Sequence, residues 1–261
     1  MCLKSDPGIF SQILVACVDK SIFVERYNLW KDHLTSIQCF ELVYAAIKHK
    51  HETHAHYLLD NLPVLTKEQQ QEVVNRAADG CWSVFDRVVA QLDTQLPLLG
   101  TVGLLVRHQQ LERLKTIAPL IAWSNEHQHD IGTAYIQSQD AYNIIRPFIG
   151  QWGSCCEPIL RWALHKDVDA FNQALYEVTD PTAQCNVLQH LLRRKSSAHI
   201  EILFEHTPYT VLAAHLNAAN NVSDEMKRYF EEQYNAKQHK TISKAVHAED
   251  DQPQRARVSK L

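Results

Sequence analysis

The densest group of chemistry-bearing side chains is His49-Lys50-His51-Glu52-Thr53-His54-Ala55-His56. Imidazoles and a carboxylate are the donors of a zinc site. On one helix, His51 and His54 stand a turn apart and share a face, whereas His49 and His56 point elsewhere. The run also falls where a polar turn between helices is expected. It therefore reads first as solvated surface and only second as a weak Zn²⁺ site. His127-Gln128-His129-Asp130 is a second His-rich run, in which Asp130 is expected to cap the helix that follows. Cys155 and Cys156 are adjacent, and a disulfide between neighbours is strained. They precede Pro158 and mark a helix start, where a thiol pKa can fall. A catalytic thiol needs a base in reach, and the sequence places none beside them. No GxSxG, HExxH, GxGxxG or GKS/T motif occurs, and Gly100-Thr101-Val102-Gly103 is too sparse for a phosphate loop. These absences direct the reading towards a protein without enzymatic activity and without a cofactor.

Composition bounds what can position such side chains. The chain has 261 residues, 45% hydrophobic and 21% charged, with only 7 Gly and 9 Pro. That balance excludes wholesale disorder. Scarce glycine argues against tight-turned all-β folds and glycine-dependent nucleotide loops. The net charge of −4 lacks the basic footprint of a nucleic-acid binder. Seven cysteines, an odd number without a CxxC pair, suit a reducing compartment. The N-terminus has no signal-peptide build, and the longest apolar stretches, 9–18 and 96–106, are too short to span a membrane. The expectation is a cytoplasmic protein.

Helical periodicity runs through residues 1 to about 234, and one pattern recurs. A small or apolar anchor is followed by a polar turn, then by apolar residues 8, 11, 12 and often 15 positions on. Ala77 precedes Asp79-Gly80-Cys81, then Phe85, Val88, Val89 and Leu92. Ala163 precedes His165-Lys166-Asp167, then Phe171, Ala174, Leu175 and Val178. Further anchors are Ala16, Ala45, Gly103, Ala134, Leu191 and Ala218, giving gaps of 26 to 32 residues. The spacing places one apolar stripe on each second helix. A two-helix unit cannot bury both faces alone, so neighbours must stack. The expected fold is all-α: a helical-hairpin repeat array over 1–234, then a flexible polar tail over 235–261. The tail carries six basic and three acidic side chains, leaving −7 on the body.

The segment Val74-Asn75-Arg76-Ala77-Ala78-Asp79-Gly80-Cys81-Trp82-Ser83-Val84-Phe85-Asp86-Arg87-Val88-Val89 resembles a degenerate ankyrin repeat: a helix with small residues, a short turn, and a second helix rich in Val. The Ala134 and Ala163 units are looser matches. The family's Thr-Pro-Leu-His opening and hairpin glycines are missing, and connectors such as Thr94–Leu98 read as simple loops. The resemblance covers about 220 residues. It implies a divergent ankyrin-like solenoid that binds another protein. Arrays of this kind are common in effectors of intracellular bacteria, Legionella-like ones among them, and in large DNA viruses. The Gln-, His- and Asn-rich turns resemble such a protein, which would work in the host cytosol.

Aromatics near exposed turns favour interfaces, so Trp82, Trp123, Trp152 and Trp162 are the candidate binding residues. Trp123 and Trp152 are expected in connectors. The metal candidates are His49, His51, His54 and His56. Ser259-Lys260-Leu261 resembles a peroxisomal address. The leading expectation is a non-catalytic protein-interaction module, with an acidic body suited to a partly basic partner. Two alternatives remain: an enzyme on an irregular all-α fold with a Cys/His site, and a His-rich metal-responsive or pH-responsive binder. Convergence of Cys155, Cys156 and the His49–His56 run in one pocket would favour the enzyme.

Overall fold

The structure is a computed structural model that describes residues 19–62 and 64–250, with side chains through Lys244. It is all-α, with no strand among the described residues. The anchor Ala16 and the terminal Ser259-Lys260-Leu261 lie outside the described residues.

The chain divides into two compact units between Gly153 and Ser154. The first holds α1 (Lys20–Trp30), α2 (Ser36–Lys48), α3 (Glu52–Asn61), α4 (Lys67–Ala77), α5 (Trp82–Val89), α6 (Thr101–Arg107), α7 (Leu111–Ile117), α8 (Gln128–Gln137) and α9 (Gln139–Ser154). Within it α2 packs on α3, α4 on α5 and α6 on α7, each pair a hairpin. Helices two apart also meet: α1 with α3, α2 with α4, α3 with α5, and α6 with α8. The second unit holds α10 (Glu157–Lys166), α11 (Val168–Glu177), α12 (Pro181–Arg193), α13 (Ser197–His206), α14 (Tyr209–Ala218) and α15 (Asp224–Asp250). There α10 packs on α11 and α12 on α13. Helices two apart again meet: α10 with α12, α11 with α13, α12 with α14, and α13 with α15.

The hairpin turns fix the register. Lys50 (φ +61°), Gly80 (φ +121°), Gln109 (φ +56°) and Lys195 (φ +51°) are left-handed residues between the two helices of a pair. The amide one residue on reaches back to a carbonyl of the first helix: His51 to Ala46 at 2.9 Å, Gln110 to Leu105 at 2.8 Å, Ser196 to Leu191 at 3.1 Å. This is the Schellman pattern of a helix C-terminus. Two turns lack the left-handed residue. There Ser138 and Asp167 sit extended and accept the amides of Ala141 at 3.2 Å and Ala170 at 2.7 Å. The six turn residues fall 28 to 30 positions apart, the period expected from the sequence.

Each anchor was expected to be buried against a neighbouring helix. Ala77, Ala134, Ala163 and Leu191 are fully buried, but in the α2–α3 hairpin the buried residue is Ala46, with Ala45 half-buried. Gly103 is half-buried and Ala218 is exposed. Pro119 stops α7 and passes the chain into a short 3₁₀ turn, Ala118–Leu120. Helix α9 runs past Pro147 and breaks at Gly150, whose φ is +43°. The connectors around Leu96 and Ile121 form one parallel bridge. In it the Leu96 amide donates to Leu120 and the Ala122 amide donates to Leu96, both at 2.9 Å.

The boundary expected after residue 234 falls inside α15, which continues to Asp250. The stretch needs no apolar stripe because its polar side chains dock on α13. Lys237 Nζ donates to the Glu201 carbonyl at 2.8 Å and lies 3.3 Å from Glu205, and Lys240 pairs with Glu201 at 3.1 Å. Earlier in α15, Tyr234 stacks on Tyr209 at 4.0 Å and Phe230 lies 5.3 Å from Phe204.

Candidate functional site

In the first unit the helices α2, α4 and α6 bury one face each, through Leu42, Val43 and Ile47, then Val73, Val74 and Ala77, then Val102, Leu105 and Val106. Thr35 with Gln38, and Thr66 with Gln69, close capping boxes that fix where α2 and α4 begin. The opposite stripes of the three helices bound an open groove of about 740 Å³, with Tyr44, Glu68, Glu72, Arg76, Leu104 and Arg107 in its lining. The Arg76 guanidinium lies 4.5 Å over the Tyr44 ring. Asp79, also in the lining, holds His108 at 3.4 Å, and its carbonyl accepts from Lys50 Nζ at 3.0 Å. The groove thus combines an aromatic–guanidinium platform with carboxylates. That chemistry suits side chains of a polypeptide.

The second helices carry rungs one repeat apart. Arg87 pairs with Asp60, and Arg113 pairs with Asp86, both at 2.7 Å. Arg113 also lies 5.1 Å over Trp82, whose ring meets His108 edge-on at 5.5 Å. Beside the first rung, Ser83 Oγ contacts His56 Nε2 at 2.9 Å and donates to Glu52. A serine against a histidine invites a nucleophile–base reading. The proton donors run the wrong way for it. The Arg87 guanidinium donates to His56 Nδ1 at 3.4 Å, so the neutral ring carries its hydrogen on Nε2 and donates to Ser83. A cation where a triad has a carboxylate also opposes the imidazolium that general base catalysis forms.

Asp130 does not cap the helix that follows it; it lies inside α8 and is buried. Its carboxylate reaches back to the start of α6, accepting from Gly100 at 2.7 Å and from Gly103 at 3.0 Å. Helix α6 has no capping side chain of its own, and Gly100 takes φ +80° there. The anion therefore caps the preceding repeat across the interface. His127 sits close by, with Nδ1 accepting from the Ser124 amide at 3.1 Å, and burial holds its pKa below the ordinary range.

The expected metal residues do not converge. His54 is buried edge-on against Phe23 at 4.3 Å, His56 serves the Ser83 rung, and His49 and His51 stack on each other at 6.4 Å. Among the described residues no group of three His, Cys, Asp or Glu side chains is arranged to hold a metal ion. Cys156 is fully buried at the start of α10, and Cys155 is half-buried. They lie in the second unit, whereas His49–His56 lies in the first. Cys81 is buried with its thiol donating to the Ile47 carbonyl at 3.3 Å, and burial pushes its pKa up to about 11. That is the behaviour of a structural thiol.

The four candidate tryptophans, Trp82, Trp123, Trp152 and Trp162, are half-buried rather than splayed into solvent. Trp123 lies in a connector, donating Nε1 to the Ala118 carbonyl at 3.0 Å. Trp152 lies within α9 past the Gly150 break, not in a connector. Trp162 carries Lys166 Nζ 5.1 Å over its ring.

Sequence reasoning missed the groove, the Ser83 rung and the role of Asp130. The signal available was a matched spacing: Asp60 and Asp86, like Arg87 and Arg113, stand 26 residues apart. No family model, curated protein or solved structure matches the chain.

Proposed function

We propose that the chain is a non-catalytic protein-binding array of stacked, ankyrin-like helical hairpins, whose partner docks along the groove of α2, α4 and α6. The observation that carries this reading is the packing of helices two apart in register with turns every 28 to 30 residues. Within a unit such stacking builds a face from successive first helices and needs no reactive group to be useful. The groove supplies Tyr44 and Arg76 as a rigid anchor pair and Arg107 as an exposed cation. A role as an effector in a host cytosol belongs to the same proposal. It rests on the sequence resemblance alone.

A photo-crosslinking amino acid at Leu104 tests this in lysate. Adducts are expected at Leu104 and not at Asn143, an exposed position on α9. Tyr44→Ala with Arg107→Glu should suppress them at unchanged melting temperature. Equal adducts from Asn143, or adducts indifferent to the groove variants, would refute the site.

A further inference from the structure

In the second unit, the row Glu157/Arg161/His165 of α10 and the row Asn186/His190 of α12 with its C-cap Arg194 each step by four residues and therefore line one face. The two rows meet rung by rung. Asn186 Nδ2 donates to Glu157 Oε2 at 3.1 Å, and Arg194 donates to His165 Nδ1 at 3.3 Å. His190 lies between these rungs, in the field of Arg161, Arg193 and Arg194, with Glu157 as the opposing charge. Glu157 already holds Arg161 at 2.6 Å, and Glu225 holds Lys195 at 3.1 Å. Lys166, Arg193 and Arg194 are exposed and have no carboxylate partner among the described residues.

The C-terminal turns of α10 and α12 account for some positive charge, since cations there offset the helix dipole. They do not account for three cations without a carboxylate partner on two packed helix ends, where like charges repel. That excess is relieved by an anion. Packed helices lie about 8–10 Å apart, and alternate side chains of an extended peptide lie about 7 Å apart. Guanidinium groups take carboxylates in a bidentate fork. A nucleic acid would need a longer run of phosphate contacts on a chain whose net charge is −4.

We propose that the seam of α10 and α12 docks an acidic peptide segment of a partner protein, read by Arg193 and Arg194 with Arg161 and Lys166 flanking. This deepens the binding role proposed above and rests on it. It gives the second unit a charge preference opposite to that expected from the acidic body.

The test is fluorescence anisotropy of the full chain with a labelled peptide of alternating Glu and Gly, beside its Gln counterpart. The Glu peptide should bind, the Gln peptide should not, and affinity should fall between about 50 and about 200 mM salt. Arg193→Glu with Arg194→Glu should cost at least about tenfold in affinity, and Lys67→Glu on α4 should cost none. If the double Glu variant melts early, Arg193→Gln with Arg194→Gln replaces it and should lose binding in the same sense. Equal binding of the Gln peptide, no binding at low salt, or full affinity in the arginine variants overturns the assignment. So does tighter, Arg193-dependent binding of single-stranded RNA or of phosphatidylserine vesicles. Failure here with groove-dependent crosslinking at Leu104 intact removes the seam and leaves the groove.

Discussion

Replacing Asp130 by Ala should loosen the start of α6, thirty residues earlier. The wild-type carboxylate is buried, 2% exposed, and accepts two backbone amides, Gly100 at 2.7 Å and Gly103 at 3.0 Å. Hydrogen bonds to a charged group contribute about 1.5 kcal/mol each at the low end, or about 3 kcal/mol for the pair. An independent route gives a similar figure. A lost cap costs about 0.5–2 kcal/mol and a lost anion at a helix N-terminus about 0.3–1. Removing a buried carboxylate returns part of its desolvation cost, so the net loss should be about 2–3 kcal/mol. At about 3 °C per kcal/mol for a unit of this size, Tm should fall by about 6–9 °C. Asp130→Asn keeps one acceptor and should fall between Ala and wild type. Far-UV circular dichroism melts give the stability, and amide hydrogen exchange at Gly100 and Gly103 gives the location. An Ala variant within about 1 kcal/mol of wild type, or a destabilised one with unchanged exchange at those two amides, would refute the capping role.

Ala77→Asp should cost about 3–5 kcal/mol and remove a cooperative melt, because Ala77 is fully buried within α4 and the new carboxylate would be taken out of water; a wild-type melt would count against the repeat contact. Stability should fall with acid: burial holds His127 and His199 below their ordinary 6.5, so the unfolded chain protonates first. The contribution is whole above about pH 6.5 and is lost as pH drops from that value through the lower folded pKa, so the urea midpoint should be lower at about pH 5.5 than at 7.5, and less so in His127→Gln with His199→Gln. Gln109→Gly should raise stability by about 0.5–1 kcal/mol, since a side chain at φ +56° is strained there; an unchanged or lower denaturation midpoint would contradict this.

The period of the fold was legible because it is written twice, in the apolar stripes of the second helices and in the polar turns between pairs. Its phase was less so. Helical periodicity alone does not distinguish Ala45 from Ala46, one step round the helix, and the structure buries Ala46. The candidate sites were read least well, because each joins residues from different hairpins. Asp130 looked like a local cap, as any Asp before a helix does, until packing brought Gly100 and Gly103 to it. The His49–His56 run looked concentrated because it is contiguous. A helix sends contiguous side chains in different directions, so His54 went to Phe23 and His56 to Ser83. Helix α15 was hidden for a further reason: beyond residue 234 it docks through Lys237 and Lys240 on Glu201 and Glu205, contacts that leave no periodic apolar trace.

The scarcity of glycine follows from how the turns are tied together. A left-handed residue after a helix favours glycine on backbone grounds, yet of these four turns only Gly80 supplies one. Two of the other three are lysines, and both reach the next repeat. Lys50 Nζ donates to the Asp79 carbonyl at 3.0 Å, and Lys195 Nζ pairs with Glu225 at 3.1 Å. A glycine at either position would relax the backbone and cut the tie. At Gly80 the backbone itself calls for glycine, since φ is +121° there, a conformation that L side chains rarely adopt. The Gln109 side chain makes no such link among the described residues, so it bears the backbone strain without a compensating bridge. The benefit of glycine should therefore be confined to that turn, and Lys50→Gly should gain less than Gln109→Gly despite the similar φ.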